Sequence, residues 1–156
     1  MGIQEVKAAL ENAGLAQRYI ELKERTATVE EAARALHCDP EQIAKTIAFN
    51  VNNTPVVIVA AGNTKIDNAK FKAVFGCKAQ MFSPEETLER VGHAVGGVCP
   101  FGVNPEVKIY LDMSVKQQGT IYPAAGSSNS VLELTPQELE TVLPHAEWVD
   151  VTKLKG

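Results

Sequence analysis

The sequence predicts one mixed α/β domain, on the strength of three observations. Four stretches have the form of a capped helix start: Thr28-Val-Glu-Glu31, Asp39-Pro-Glu-Gln42, Ser83-Pro-Glu-Glu86 and Thr135-Pro-Gln-Glu138. Short β-branched or alternating runs lie between them, above all PVVIVAA at residues 55–61. The chain has 156 residues, about the length of one domain and enough to bury a sizeable core. There is no internal repeat, low-complexity tract or interdomain linker, so residues 1–156 read as a single unit.

In chain order, Ile3, Val6 and Leu10 recur at helical spacing over residues 3–12, and Gly14 suits the end of that helix. Residues 17–22 read as a strand. Thr28 caps a helix through Leu36 that presents Val29, Ala32, Ala33 and Leu36 on one side. Asp39 opens a second, with Pro40 in its first turn. Residues 45–51 form a strand, Asn52-Asn53 a turn, and residues 55–61 a strand apolar enough to be buried on both faces. That pair predicts a central hairpin, so the sheet is not purely parallel. Asp67 caps a helix through Phe75, ended by Gly76. Residues 79–82 read as a short strand and 84–91 as a helix. Strands follow at 108–112, 120–123 and 131–134, the last two joined by the loop AAGSSNS. A helix from Thr135 to about Leu143 and a strand at 147–151 complete the chain.

Composition narrows the function. Hydrophobic residues make up 45% and charged residues 22%, as in ordinary soluble domains. The net charge of −4 argues against a broad DNA-binding surface but leaves room for contact with one small end of a nucleic acid. Cys38, Cys77 and Cys99 are far apart and lack metal-ligand spacing; His37-Cys38 is an isolated pair. No metal or cofactor is expected. No apolar run reaches membrane-spanning length, and a reducing cytoplasm is the simplest home.

Three stretches could carry chemistry. Residues 92–102, GHAVGGVCPFG, hold four glycines and a proline. They form either a tight connecting loop or a pocket lined by backbone N–H groups, with Gly96 and Gly97 facing a ligand oxygen and Pro100 fixing the exit. Lys45 lies where a capped turn passes into a strand. It is either a solvated strand-end lysine or a cation projected into a cleft, able to hold a phosphate or polarise a carbonyl. Thr46 is either a hydroxyl beside it or an ordinary strand residue. The third stretch, Ala125-Gly-Ser-Ser-Asn-Ser130, is a polar turn or a second pocket wall, with Gly126 permitting close approach and Ser127 and Ser128 donating. His93 and Cys99 could be base and nucleophile, or buried structural groups. No G-x-S-x-G elbow and no P-loop is present. Lys65, Lys70, Lys72 and Lys78 form the most basic region, a solvated face or a phosphate-docking patch.

Taken together, QIAKTIAF at 42–49, VGGVCPFG at 95–102 and TIYPAAGSSNSVLEL at 120–134 resemble the YbaK/EbsC family, the prolyl-tRNA synthetase-associated editing domain, over nearly the whole chain. The resemblance implies a barrel-like mixed sheet wrapped by helices. It also implies a free-standing enzyme that hydrolyses mischarged aminoacyl-tRNA, most often tRNA(Pro), without a cofactor. Lys45 matches the family's key lysine, and Thr46 the residue after it, which varies between subfamilies. Gly96, Gly97 and Pro100-Phe101-Gly102 match its glycine-proline loop, with Val98 inside it, and Gly126 matches the later glycine.

Cysteine-specific members carry a Gly-Lys-Arg-Gly-type loop followed by an aspartate. This chain has Gly126-Ser-Ser-Asn, and Val131 in the aspartate's place. Serine, threonine or alanine is therefore the expected substrate, ahead of cysteine. Gly97 and Lys45 are the expected catalytic residues. Thr46, Gly96, Val98, Pro100, Phe101, Gly102, Gly126, Ser127 and Ser128 are expected to bind substrate. The expected partners are the aminoacyl-tRNA acceptor end and a prolyl-tRNA synthetase or elongation factor. Two other readings stay open: a binding module using the same pocket without turnover, and a hydrolase using Cys99.

Overall fold

In the computed structural model, which describes residues 3–95 and 98–155, the chain opens with α1 (Ile3–Asn12), β1 (Tyr19–Glu21) and α2 (Val29–Leu36). The strands β2 (Ile43–Val51), β3 (Thr54–Ala61) and β4 (Thr64–Ile66) follow, then helices α3 (Asn68–Phe75) and α4 (Pro84–Arg90). Beyond the glycine-rich stretch come β5 (Lys108–Asp112), α5 (Met113–Lys116), β6 (Tyr122–Pro123) and β7 (Ser130–Leu132). The described chain finishes with α6 (Pro136–Val142), β8 (Glu147–Val149) and β9 (Thr152–Leu154).

The expected hairpin is the centre of the fold. β2 and β3 pair antiparallel from Ala44↔Ala61 to Val51↔Thr54. Asn52 and Asn53 make the turn at φ 50° and 66°, the left-handed pair that a two-residue hairpin requires. β3 is buried from Pro55 to Ala61, as its apolar run demands. The five-stranded sheet has the order β6-β2-β3-β5-β8, with every pair but the hairpin parallel, and curls into a half-barrel. Two small ribbons, β1–β7 and β4–β9, flank it.

One core packs Val6 and Leu10 of α1 and Leu139 of α6 with Ala44, Val59, Leu111, Leu132 and Leu134. A second packs Phe49 and Ile58 with Phe71 of α3, the two aromatic rings 5.1 Å apart. Capping boxes at Thr28, Ser83 and Thr135 start α2, α4 and α6. Gly76 ends α3 at φ 76°.

Several elements depart from expectation. At Asp39 the Gln42 side chain accepts from the Asp39 N–H at 3.1 Å, but Pro40–Gln42 make only a 3₁₀ turn because β2 begins at once. Residues 79–82 form no strand; Met81 makes a single bridge to Phe49. The run 147–151 splits, because the Val151 N–H leaves the ladder to donate to Asp112 Oδ1 at 2.9 Å. β4, α5 and β9 have no counterpart in the sequence pattern.

Buried Asp112 explains where β9 lies. Its Oδ2 accepts from the Thr152 hydroxyl at 2.7 Å and from the Ser114 N–H at 3.0 Å, so one carboxylate caps α5 and pins β9. Gly62, just after β3, passes so close to the Pro40 carbonyl and Val29 that no Cβ fits. This seats the first turn of α2 against the hairpin.

Candidate active site

A cavity of about 260 Å³ opens over β2. Its floor is Ile43–Ala48. Its walls are the entry to α2 (Thr26, Ala27, Thr28, Val29, Ala32), Phe82 with Thr87 of α4, Val98, and Tyr122, Ala124 and Val131 from β6, β7 and their connection. Met81 and Val95, both about two-thirds exposed, form its lip. The lining is small and mostly apolar, and its one ammonium belongs to Lys45.

Central strand β2 carries Lys45, opposite Ala60 of β3. Its Nζ donates to the Thr64 carbonyl at the start of β4. Half-burial lowers its pKa to about 8; Lys155 nearby pushes the same way, and Glu30 opposes. The ammonium is thus short of solvent and makes no ion pair among the described residues, an arrangement chemically able to hold an anionic oxygen. Thr46, next in β2, is also a lining residue, and its hydroxyl is buried without a hydrogen-bond partner. Such a group costs stability in the free protein.

The structure divides the remaining expected residues. Val98 lines the cavity with Lys45 and Thr46. Gly96 and Gly97 lie outside the described residues. Pro100, Phe101 and Gly102 line a separate hollow of about 500 Å³ between β5 and the end of α6, and Phe101 is a core residue at 1% exposure. Gly126, Ser127 and Ser128 do not line the cavity; they brace it. Gly126 turns the chain at φ 95°. Ser127 bonds to Asn129 and Ser130. The Ser128 carbonyl accepts from the Thr26 N–H at 2.6 Å, fixing the segment that enters α2.

No motif in the sequence marks that entry to α2 as a wall of the cavity. Its signal was the one-sided apolar face of Val29, Ala32, Ala33 and Leu36, which needed a surface to cover.

His93 and Cys99 are interior struts. His93 is 2% exposed, and its Nε2 lies 2.6 Å from the Phe101 carbonyl, which makes Nε2 the protonated nitrogen. Cys99 is fully buried and absent from the cavity lining; burial pushes its thiol up to about 12. A thiol so held is a packing group. Among the described residues no cluster of three His, Cys, Asp or Glu could hold a metal, and no helix is long and apolar enough to cross a membrane.

The structure is thus a small barrel-like α/β domain with a lysine on the floor of its cavity. The comparisons are specific. Residues 23–142 match the aminoacyl-tRNA editing domain, and the chain belongs to that family, of YbaK/EbsC type. It is 47% identical over 134 residues to the uncharacterized protein YwhH of Bacillus subtilis, covering 85% of each chain. It is 28% identical to the proposed Cys-tRNA(Pro)/Cys-tRNA(Cys) deacylase EbsC of Enterococcus faecalis, covering 80% of this chain and 77% of that one. A proline–tRNA ligase of Geobacillus shares 32% identity over 57% of this chain, which spans only 16% of the ligase. The crystal structure of a proposed trans-editing enzyme for prolyl tRNA synthetase superposes with a TM-score of 0.86, at 29% identity over 99% of this chain and 97% of that one.

Proposed function

We propose that this chain is a trans-editing deacylase in the cytoplasm that removes a small non-cognate amino acid from tRNA(Pro). The observation that carries the reading is the Lys45 ammonium in a small, mostly apolar cavity that Thr46, with its unpartnered hydroxyl, also lines. The cavity suits a serine, threonine or alanine side chain. The Thr46 hydroxyl favours the first two, which can satisfy it. Val131 keeps one wall apolar. The exposed lip of Met81 and Val95 suits the flat face of a terminal adenine.

In this reading the Lys45 ammonium takes a phosphate or carbonyl oxygen at the 3′-terminal adenosine. A water attacks the ester carbonyl, the bond to the ribose oxygen breaks, and that oxygen takes a proton. Backbone N–H groups around Gly97 hold the developing oxyanion, each worth ~3 kcal/mol by comparison with other oxyanion holes. An ester is already activated, so no side-chain base is required: the substrate's own amine takes the proton from the water, and the ribose hydroxyl assists by relaying it. A synthetase cannot strongly reject small amino acids by binding alone, which gives a second sieve its purpose.

The test is deacylation of tRNA(Pro) charged in turn with alanine, serine, threonine, cysteine and proline. Hydrolysis of one or two non-cognate esters with prolyl-tRNA spared is expected. Lys45→Ala is expected to abolish it with the fold intact. No hydrolysis of any ester, or full activity in Lys45→Ala, overturns the reading.

A further inference from the structure

The β4–β9 ribbon places like charges side by side. Lys65 and Lys153 are direct cross-strand partners in the antiparallel register, and both are exposed. Directly opposed residues share one face, their Cβ atoms about 5 Å apart, and like charges so placed are destabilising. Lys155, two residues beyond Lys153, continues the ladder through its N–H, which donates to the Asn63 carbonyl at 3.0 Å. It therefore lies on the same side, about 7 Å along. Among the described residues no carboxylate lies within ion-pair distance of Lys65, Lys153 or Lys155. Asp67, whose carboxyl is held low chiefly by the Lys70 backbone N–H, also feels the charge of Lys153.

The ribbon's inner end meets the cavity. The Lys45 ammonium is bonded to the Thr64 carbonyl, one residue before Lys65, and feels the charge of Lys155. A row of cations thus runs from the exposed ribbon to the cavity floor on a protein of net charge −4. Of the lysines that cluster in the sequence around α3, Lys70 is spent within the fold, on Asp150 and the Thr152 carbonyl at 3.0 Å each.

We propose that the Lys65–Lys153–Lys155 face of the β4–β9 ribbon tracks the phosphodiester backbone of the single-stranded 3′ end of an RNA whose terminal ester enters the cavity at Lys45. This rests on the deacylase reading for its choice of RNA. The stepwise spacing of the lysines along one face matches a stretched strand better than a compact anion. Binding releases counterions and relieves the Lys65–Lys153 repulsion.

The test uses the full chain and an uncharged, fluorescent RNA minihelix ending in CCA, with anisotropy followed against salt. Lys65→Thr/Lys153→Thr is expected to lower the slope of log K against log salt by about 1.4, at ~0.7 per lysine lost on a single strand. The melting temperature of that variant should be unchanged or raised, because the repulsion is gone. Lys72→Thr/Lys78→Thr, an equal change in net charge, should leave the slope alone.

An unchanged slope in the ribbon variant, an equal fall in both double variants, or no binding by the parent chain overturns the proposal. Deacylation is measured separately. Turnover with a slope indifferent to Lys65 and Lys153 defeats the ribbon alone. The expected slope change without turnover defeats the deacylase reading alone. With turnover present, the ribbon variant raises KM and leaves kcat in place.

Discussion

Lys45 and Thr46 are neighbours in β2 that both line one cavity, yet their polar atoms are in opposite states. The Lys45 ammonium is held by the Thr64 carbonyl, while the Thr46 hydroxyl is buried and unpartnered. One is satisfied within the fold, and the other is not.

For Lys45 the consequence is a pH signature. Its folded pKa of about 8 lies below the ~10.4 of an unfolded chain. Below about pH 8 both states are protonated, and the full cost of half-burying the ammonium is present. Between about 8 and 10 the unfolded chain holds more protons, so stability rises with pH. Lys45→Met should flatten that rise in urea titrations. If the ammonium is the working form, log kcat/KM should fall above pH 8 with a slope near −1.

Thr46→Val should separate substrates. It removes a hydroxyl that has no partner in the free protein, so stability should hold or increase by up to about 1 kcal/mol. Seryl and threonyl esters should be hydrolysed about ten-fold more slowly, the equivalent of one hydrogen bond, with the alanyl ester spared. Single-turnover rates on the three esters would decide it.

Gly62→Ala tests the seating of α2. The new Cβ would meet the Pro40 carbonyl, Val29 Cγ1 at 2.7 Å and the Ile43 carbonyl at 3.2 Å. The overpacking should cost about 1–3 kcal/mol, read from the urea midpoint. Deacylation should fall as well, since Val29 and Ile43 line the cavity.

Glu138 serves two partners. It accepts from the Thr135 N–H at 2.9 Å and grips Arg18 through two contacts of 2.8 Å. The Thr135 backbone N–H leads in holding its carboxyl below the usual range, with Arg18 adding to it against partial burial. Glu138→Ala should cost about 1–2 kcal/mol at pH 7 by loss of the cap and the paired contacts. Because the folded pKa is depressed, the wild type's advantage is full above the unfolded value of ~4.3 and should vanish as pH falls through the folded one.

What was legible in the sequence is what is local. Thr28 with Glu31, Ser83 with Glu86, and Thr135 with Glu138 announce their helices because both halves of each cap lie within four residues. The hairpin is legible because the apolar run needs two covered faces and Asn52-Asn53 fits the turn. β4 and β9 are three-residue strands that pair only with each other, from 88 positions apart, so nothing local marks them. At the site, Lys45 is legible from its place at the strand entry. The role of Ser128 is indirect: it acts through the backbone of Thr26, and no side-chain pattern encodes that contact.

Asp112 has a consequence for the order in which the molecule assembles. The β2–β3 hairpin closes over a two-residue turn and can form within microseconds of its residues becoming free. β9 must search across a far longer loop before Thr152 and Val151 find the Asp112 carboxylate, at a greater entropic cost. On a ribosome, the cavity floor can therefore fold while Lys153 and Lys155 are still inside the exit tunnel. The lysine row is completed only after they emerge.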